Sequence, residues 1–203
     1  MKDKRNNIVG EKAHATGKSL TSEQNKVIRL VEKAIRGDFA AFGDLYGVYL
    51  DRIYRYVFYQ VKDKMTAEDV TEEVFLKAWK AIKSCRGKER TFSSWLYRIA
   101  HNNVIDIFRS QQKKWTVDME TVAELSQPAV EIEKELDHQE ILNSLTDLPP
   151  NQRQVIILKF IEGLDNLEIE RIIGKSQGAI RVLQTRALAK LREKLSSGHE
   201  NER

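Results

Sequence analysis

Residues 148–192 read LPPNQRQVIILKFIEGLDNLEIERIIGKSQGAIRVLQTRALAKLR, and this stretch decides the fold. Pro149 and Pro150 sit where a helix begins, because proline's fixed φ and missing N–H are tolerated in a first turn. The run Val155, Ile156, Leu158, Lys159, Phe160 carries that helix to Gly163, a natural stop. Asp165 followed by Glu168 has the spacing of a capping box and opens a short helix. Its apolar face is Leu167, Ile169, Ile172 and Ile173, and Gly174 ends it. Ser176 can cap a last helix running to about Leu195. There Ile180, Leu183, Ala187 and Leu191 recur at helical spacing and should pack inward. Arg181, Gln184, Arg186, Lys190 and Arg192 are left on the other sides, opposed by Glu193 alone. An isolated basic helix is more often a solvated amphipathic face than a reader of DNA. Two helices about a glycine turn, the second basic, reverse that balance: this is a helix-turn-helix shaped for a major groove. In such a motif Gln177, Gly178 and Arg181, near the start of the second helix, reach base edges, and later cations reach phosphates.

Working outward, the whole chain has 203 residues, 41% of them apolar, enough for one or two packed cores. Its formal charge of +4 and pI near 9.0 mildly favour a polyanionic partner. Cys85 stands alone, so no internal disulfide can form, which suits a reducing compartment; it reads as a buried thiol before a redox sensor. His14, His101, His138 and His199 are scattered and make no metal-ligand pair, so no metal or cofactor is expected. No apolar run approaches the roughly 20 residues needed to span a bilayer, and the N-terminus lacks the apolar core of a signal peptide. A cytoplasmic protein without membrane insertion is the expectation. With 3 prolines, 10 glycines and few alternating β-branched runs, the chain reads as all-α.

Residues 1–22 are polar, basic and aperiodic and read as a disordered tail. Residues 23–112 hold four helical patterns. The first runs Val27, Leu30, Val31, Ala34, Ile35 and stops near Gly37. The second carries Phe39, Phe42, Leu45, Tyr46, Tyr49, Ile53, Val57 and Val61, with room for a break at Gly47. The third spans Ala67 to Ile82 and the fourth Phe92 to Ser110, with a short loop from Lys83 to Thr91 between them. Residues 113–137 are a linker, and from Thr116 to Asp137 its acids Asp118, Glu120, Glu124, Glu131, Glu133, Glu135 and Asp137 face Lys134 alone. That is no duplex-binding surface. A second helical domain occupies residues 138–196, and a tail follows at 197–203.

Two blocks of the first domain carry chemistry. In Ala67–Trp79, Val70, Val74, Phe75, Ala78 and Trp79 fall on one side, with Ile82 beyond. Asp69, Glu72 and Glu73 cluster on the other, suited to a basic protein surface. The plainer alternative is a helix start, where carboxylates are stabilised by the helix dipole. In Thr91–Arg109, Phe92, Trp95, Leu96, Ile99, Val104 and Phe108 would pack, with Trp95 read as core before stacking platform. Arg98, His101, Asn102, Asn103 and Arg109 remain for another surface, a mix of amides and cations that suits single-stranded bases and their phosphates. Asp106 and Arg109, three residues apart, could simply pair with each other.

With these blocks in order, the chain resembles the extracytoplasmic-function sigma factors, the smallest members of the bacterial sigma-70 family. The signatures are Ala67–Trp79, the pattern Trp-Leu-Tyr-Arg-Ile-Ala-x-Asn-x-x-x-Asp-x-x-Arg over 95–109, and Leu-Pro-Pro-x-Gln-Arg from Leu148. The resemblance implies that the first domain binds the clamp helices of core RNA polymerase through Asp69, Glu72, Glu73 and Phe75. It implies minus-ten recognition and melting by the loop and the helix after it, with Arg86, Lys88, Arg90, Arg98, Asn102 and Arg109 as contacts. The second domain would meet the polymerase flap and read the minus-thirty-five duplex with Ser176, Gln177, Gly178, Arg181, Gln184, Arg186 and Lys190. The acidic linker would thread the RNA-exit path, and an anti-sigma factor would be a further partner. Several positions depart from the family pattern: Glu170 replaces a small residue, Lys175 an apolar one, Val182-Leu183 a Ser-Arg/Lys pair, and Leu188 a frequent arginine.

Two other classes compete. A helix-turn-helix regulator acting without polymerase would bind palindromic DNA by itself, whereas a sigma factor alone binds promoters weakly. An enzyme is disfavoured because no nucleophile, metal cluster or glycine-rich phosphate loop is legible.

Overall fold

In the computed structural model, residues 21–86, 91–117, 144, 145 and 147–200 are described, with backbone alone for 111–117 and 195–200. Among the described residues the secondary structure is helical: α1 (Ser22–Ile35), α2 (Phe39–Val61), α3 (Lys64–Ala81), α4 (Phe92–Val117), α5 (Pro150–Ile156), α6 (Asn166–Ile173) and α7 (Gln177–Glu200). The expected basic tail, apart from Thr21 and Ser22, lies outside the described residues, as do most of the acidic linker and the last three residues.

Side-chain caps set several helix starts. Thr21 accepts from the Gln24 amide at 3.2 Å while the Gln24 side chain accepts from the Thr21 N–H at 3.0 Å. This capping box starts α1 at Ser22, so the tail ends slightly earlier than expected. Gly37, with φ +96°, turns the chain, and Asp38 caps α2 by accepting from Ala41 at 3.0 Å. No break occurs at Gly47; α2 is continuous from Phe39 to Val61. A helical glycine costs about 1 kcal/mol relative to alanine. Burial of Leu45, Tyr49, Ile53, Tyr56 and Val57 along one face outweighs that cost.

Asp63 accepts from the Thr66 amide at 2.7 Å and begins α3 at Lys64, earlier than the expected Ala67. Asp69, Glu72 and Glu73 therefore sit in later turns, beyond the first-turn amides that a dipole or capping role requires. At the other end of the domain α4 runs on past Ser110 to Val117, into the segment read as linker.

Helices α1–α4 enclose a core of Val31, Ile53, Tyr56, Val57, Val74, Leu96 and Tyr97, all buried. Helices α5–α7 enclose a second around Val155, Ile157, Leu158, Ile169, Ile172 and Ile180. The two cores are continuous, because α4 packs against α6 and α2 reaches α5 and the turn after it. In that turn, Ile157–Ile161 adopts π-helical geometry: the Glu162 N–H donates to the Ile157 carbonyl at 3.0 Å. Gly163 follows in the left-handed region, φ +70°. The widened turn leaves Phe160, expected in the apolar run, 57% exposed, and withdraws Glu162 from water instead.

His101 of α4 lies in this junction, where its Nδ1 meets the Gln154 Nε2 of α5. Burial lowers its proton affinity, and the Arg98 and Lys175 cations lower it further. The undocked or unfolded chain thus binds more protons as pH falls through the ordinary histidine value of 6.5. The stability contributed by neutral His101 is complete above that value and is lost as pH drops below it toward the lowered value. Thermal unfolding between pH 7.5 and 5.5, roughly spanning this titration, should show a falling midpoint that His101→Gln largely abolishes. An identical decline in the variant would assign it to other groups.

Candidate nucleic-acid interface

The helix-turn-helix is built as its sequence suggests. Asp165 accepts from the Glu168 amide at 2.9 Å, and Glu168 returns the bond to the Asp165 N–H at 2.8 Å. Gly174 closes α6 in the left-handed region, φ +68°. Ser176 accepts from the Ala179 amide at 3.3 Å and starts α7. Ile180 and Ala187 are fully buried and Leu183 and Leu191 pack against the same core. Arg181, Arg186 and Lys190 are exposed on the opposite side. At Gly178 a Cβ would meet nothing nearer than the Ser176 hydroxyl, 4.0 Å away, so backbone is open to an approaching ligand there.

The two glutamines are held from behind. Gln177 Nε2 donates to Glu170 Oε2 at 2.9 Å, and Gln184 Nε2 donates to Asn166 Oδ1 at 3.1 Å. Both partners belong to α6. Sequence reading took Glu170 only as a departure from a pattern; its i+7 relation to Gln177 across the turn was the available signal. Val182, 49% exposed beside Arg181, adds an apolar contact of the kind that fits a thymine methyl. The motif arginine Arg153 faces inward instead: its guanidinium donates to the carbonyls of Leu145 (3.0 Å), Leu148 (3.3 Å) and Gln60 (3.5 Å).

On α4, Arg98, Asn102 and Arg109 are exposed, at offsets of four and seven residues that keep them on one helix face. Arg109 pairs with Asp106 at 3.7 Å, as the spacing allowed, and an exposed pair of this kind is readily exchanged for another anion. Asn103 is buried rather than surface-facing; its Oδ1 accepts from Lys77 while its Nδ2 has no protein partner. Trp95 is half-buried with Phe92, ring centroids 5.7 Å apart, as a core residue should be. Arg86 is exposed after the 3-10 turn Ile82–Cys85; Lys88 and Arg90 lie outside the described residues. Cys85 is 1% exposed.

On α3, Asp69, Glu72 and Glu73 are exposed, with Glu73 paired to Lys77 at 2.8 Å. Phe75 must be removed from this surface. It is 5% exposed and packs on Tyr46, centroids 4.6 Å apart, because its position falls on the core side of the helix. Leu76, 53% exposed, stands there instead. The offsets 69, 72, 73 and 76 trace one helical stripe, a signal present in the sequence and overlooked.

Comparison with known proteins agrees with this geometry. The sigma-70 region 2 model matches residues 45–114 and the sigma-70 region 4 model matches residues 138–191. The ECF RNA polymerase sigma factor BldN of Streptomyces coelicolor is 36% identical over 174 residues, covering 84% of this chain and 66% of that protein's length. The ECF RNA polymerase sigma factor SigW of Bacillus subtilis is 30% identical over 177 residues, covering 81% of this chain and 94% of SigW. The sigma factor RpoE from Bartonella quintana, solved with the anti-sigma factor NepR, shares the fold with a TM-score of 0.64 at 24% identity, over 76% of this chain and 96% of that one. The chain belongs to the extracytoplasmic-function group of RNA polymerase sigma factors. It is thus a promoter-specificity subunit of transcription initiation, with a DNA-binding helix-turn-helix in region 4.

Glu170→Ala should free the Gln177 amide and remove a carboxylate from beside it. The expected outcome is tighter binding to unrelated duplex and about tenfold weaker discrimination at one base pair, near the ~1–3 kcal/mol of a well-placed amide contact. Anisotropy titrations on a set of single-base-pair variants read both; unchanged discrimination would mean Gln177 reads no base.

Proposed function

We propose that the three exposed stripes divide the work of initiation. The acidic stripe Asp69, Glu72, Glu73, with Leu76 at its end, docks on the clamp helices of core polymerase. Arg86, Lys88, Arg90, Arg98, Asn102 and Arg109 engage the minus-ten element. Ser176, Gln177, Gly178, Arg181, Gln184, Arg186 and Lys190 engage the minus-thirty-five duplex. Among these, Arg181 and the held glutamines read bases, and Arg186 and Lys190 neutralise phosphates. Region 4 also contacts the flap.

No bond is made or broken by such a subunit. Its work is differential binding: region 4 anchors the duplex while region 2 captures an unpaired strand, offsetting an unstacking cost of a few kcal/mol per base. The protein acts in the cytoplasm, where polymerase is; among the described residues no helix is long and apolar enough to cross a membrane. An anti-sigma factor is a further partner, consistent with the NepR complex of RpoE.

The observation that carries this reading is the opposition of charge on region 2: an acidic stripe on α3 and a cationic face on α4. A regulator acting without polymerase has no use for the former. The test is transcription in vitro with purified core polymerase and a promoter panel; absence of core binding or of redirected initiation would sink it.

Two variants sharpen it. Charge reversal in Asp69→Lys/Glu73→Lys should lower core affinity about tenfold or more with helicity unchanged, since like-charge contacts cost several kcal/mol at an interface. Equal core affinity, or lost helicity, counts against the docking role. Arg181→Ala should weaken initiation about tenfold or more, through the minus-thirty-five element. A promoter lacking that element should be nearly indifferent to the substitution, and equal losses on both promoters would reject the assignment.

A further inference from the structure

The contact between the two regions is a built site. The Glu162 carboxylate is fully withdrawn from solvent and accepts from Arg55 Nε at 2.9 Å, Arg52 Nε at 3.5 Å and Tyr97 OH at 2.5 Å. Arg55 Nη2 adds a contact at 3.4 Å, and Arg52 Nη2 donates to the Glu162 carbonyl at 3.1 Å. All three donors belong to region 2, while Glu162 lies in region 4. Burial, and the neighbouring carboxylate after it, push the Tyr97 hydroxyl well above the usual tyrosine range, so it stays a donor. Two further bridges flank this centre: Gln154 Nε2 donates to Tyr56 OH at 3.1 Å, and Arg153 reaches the Gln60 carbonyl.

This docked arrangement cannot span a promoter. Elements centred near minus ten and minus thirty-five lie about 25 base pairs apart, or about 85 Å at 3.4 Å per step. Here α4 of region 2 packs directly on α6, the helix that supports the reading helix α7. Covalent geometry permits separation: between Val117 and Ser144 the chain can reach about 90 Å when extended, at ~3.3–3.6 Å per residue. Docking also brings the Lys175 cation of region 4 close enough to His101 of region 2 to lower its proton affinity.

We infer that Glu162, clamped by Arg52, Arg55 and Tyr97, is a latch that holds free protein in a closed state unable to engage both promoter elements, and that opens when polymerase separates the regions. The inference rests on the proposed assignment of the two DNA surfaces, but the latch itself is a distance that can be measured without DNA. Removing one partner leaves the others buried and unpaired, and opening rehydrates them, so the substitution favours the open state.

The experiment is single-molecule energy transfer on the full chain labelled at Lys80→Cys and Ala189→Cys, both exposed, with buried Cys85 left in place. The otherwise unsubstituted chain should show a dominant high-transfer population, and core polymerase should convert it to low transfer. Glu162→Gln should raise the open-to-closed ratio about tenfold or more without polymerase. Should Glu162→Gln lose helicity, Arg52→Met/Arg55→Met decides in the same assay, because those side chains are 37% and 40% exposed and lie outside the core. Low transfer in the unsubstituted chain, or high transfer retained in the folded variants, overturns the latch. Binding of a minus-thirty-five duplex, read alongside, should tighten severalfold on opening. Opening without that gain leaves the latch standing and instead faults the surface assignment.

Discussion

A carboxylate with no access to water must find its full complement of donors within the protein, and for Glu162 those donors come from the other half of the chain. That single requirement sets how the two regions meet. The π-helical turn before Gly163 aims the side chain, and two guanidinium groups and a phenol receive it. Once the carboxylate is seated, α6 lies on α4 and the outward face of α7 is determined. Buried ion pairs of this kind are poor sources of net stability, because desolvation consumes much of the Coulombic gain. Their value lies in geometry. An apolar contact tolerates sliding, whereas a carboxylate between two guanidinium groups has one register.

Charge is distributed with the same economy. The formal balance of +4 says little, because opposite signs occupy different helices. Asp69, Glu72 and Glu73 share one face of α3, whereas Arg98, Asn102 and Arg109 share one face of α4. Two adjacent helices of one small domain thus present surfaces fit for a basic protein and for an acidic polymer. Both faces are set by the same buried stripes, Val70–Val74–Ala78 on one helix and Leu96–Ala100–Val104 on the other. Neither surface can rotate without unpacking the core.

Much of the architecture was legible in sequence because its signals are local. The capping box at Asp165–Glu168, glycine stops at Gly37 and Gly174, and 3.6-residue apolar periods all report on neighbours within a turn or two. Errors arose where a distant partner decides. Gly47 left room for a break that the bundle covering the α2 face removes, and Phe75 was placed on two surfaces when packing on Tyr46 permits only one. Glu162 left no trace at all: a glutamate before a glycine reads as an exposed helix end. Its donors lie more than a hundred residues away for Arg52 and Arg55, beyond the reach of any periodicity.

The departures from the family pattern in region 4 gain a physical reading from the same logic. A small residue at position 170 would leave Gln177 to choose its own rotamer on the open side of the turn. Glu170 accepts one of its amide hydrogens at 2.9 Å, which fixes the plane of the amide before any ligand arrives. Asn166 does the same for Gln184 one helical layer further on. Val182, exposed where a polar residue is usual, removes a polar group and contributes apolar surface to the same helix. In a DNA-reading helix, fewer cations and more pre-oriented neutral groups favour base-edge contacts, which depend on sequence, over backbone attraction, which does not. On the proposed assignment of this face to the minus-thirty-five duplex, the departures from the family pattern amount to a trade: weaker general hold on DNA in return for a narrower choice of duplex.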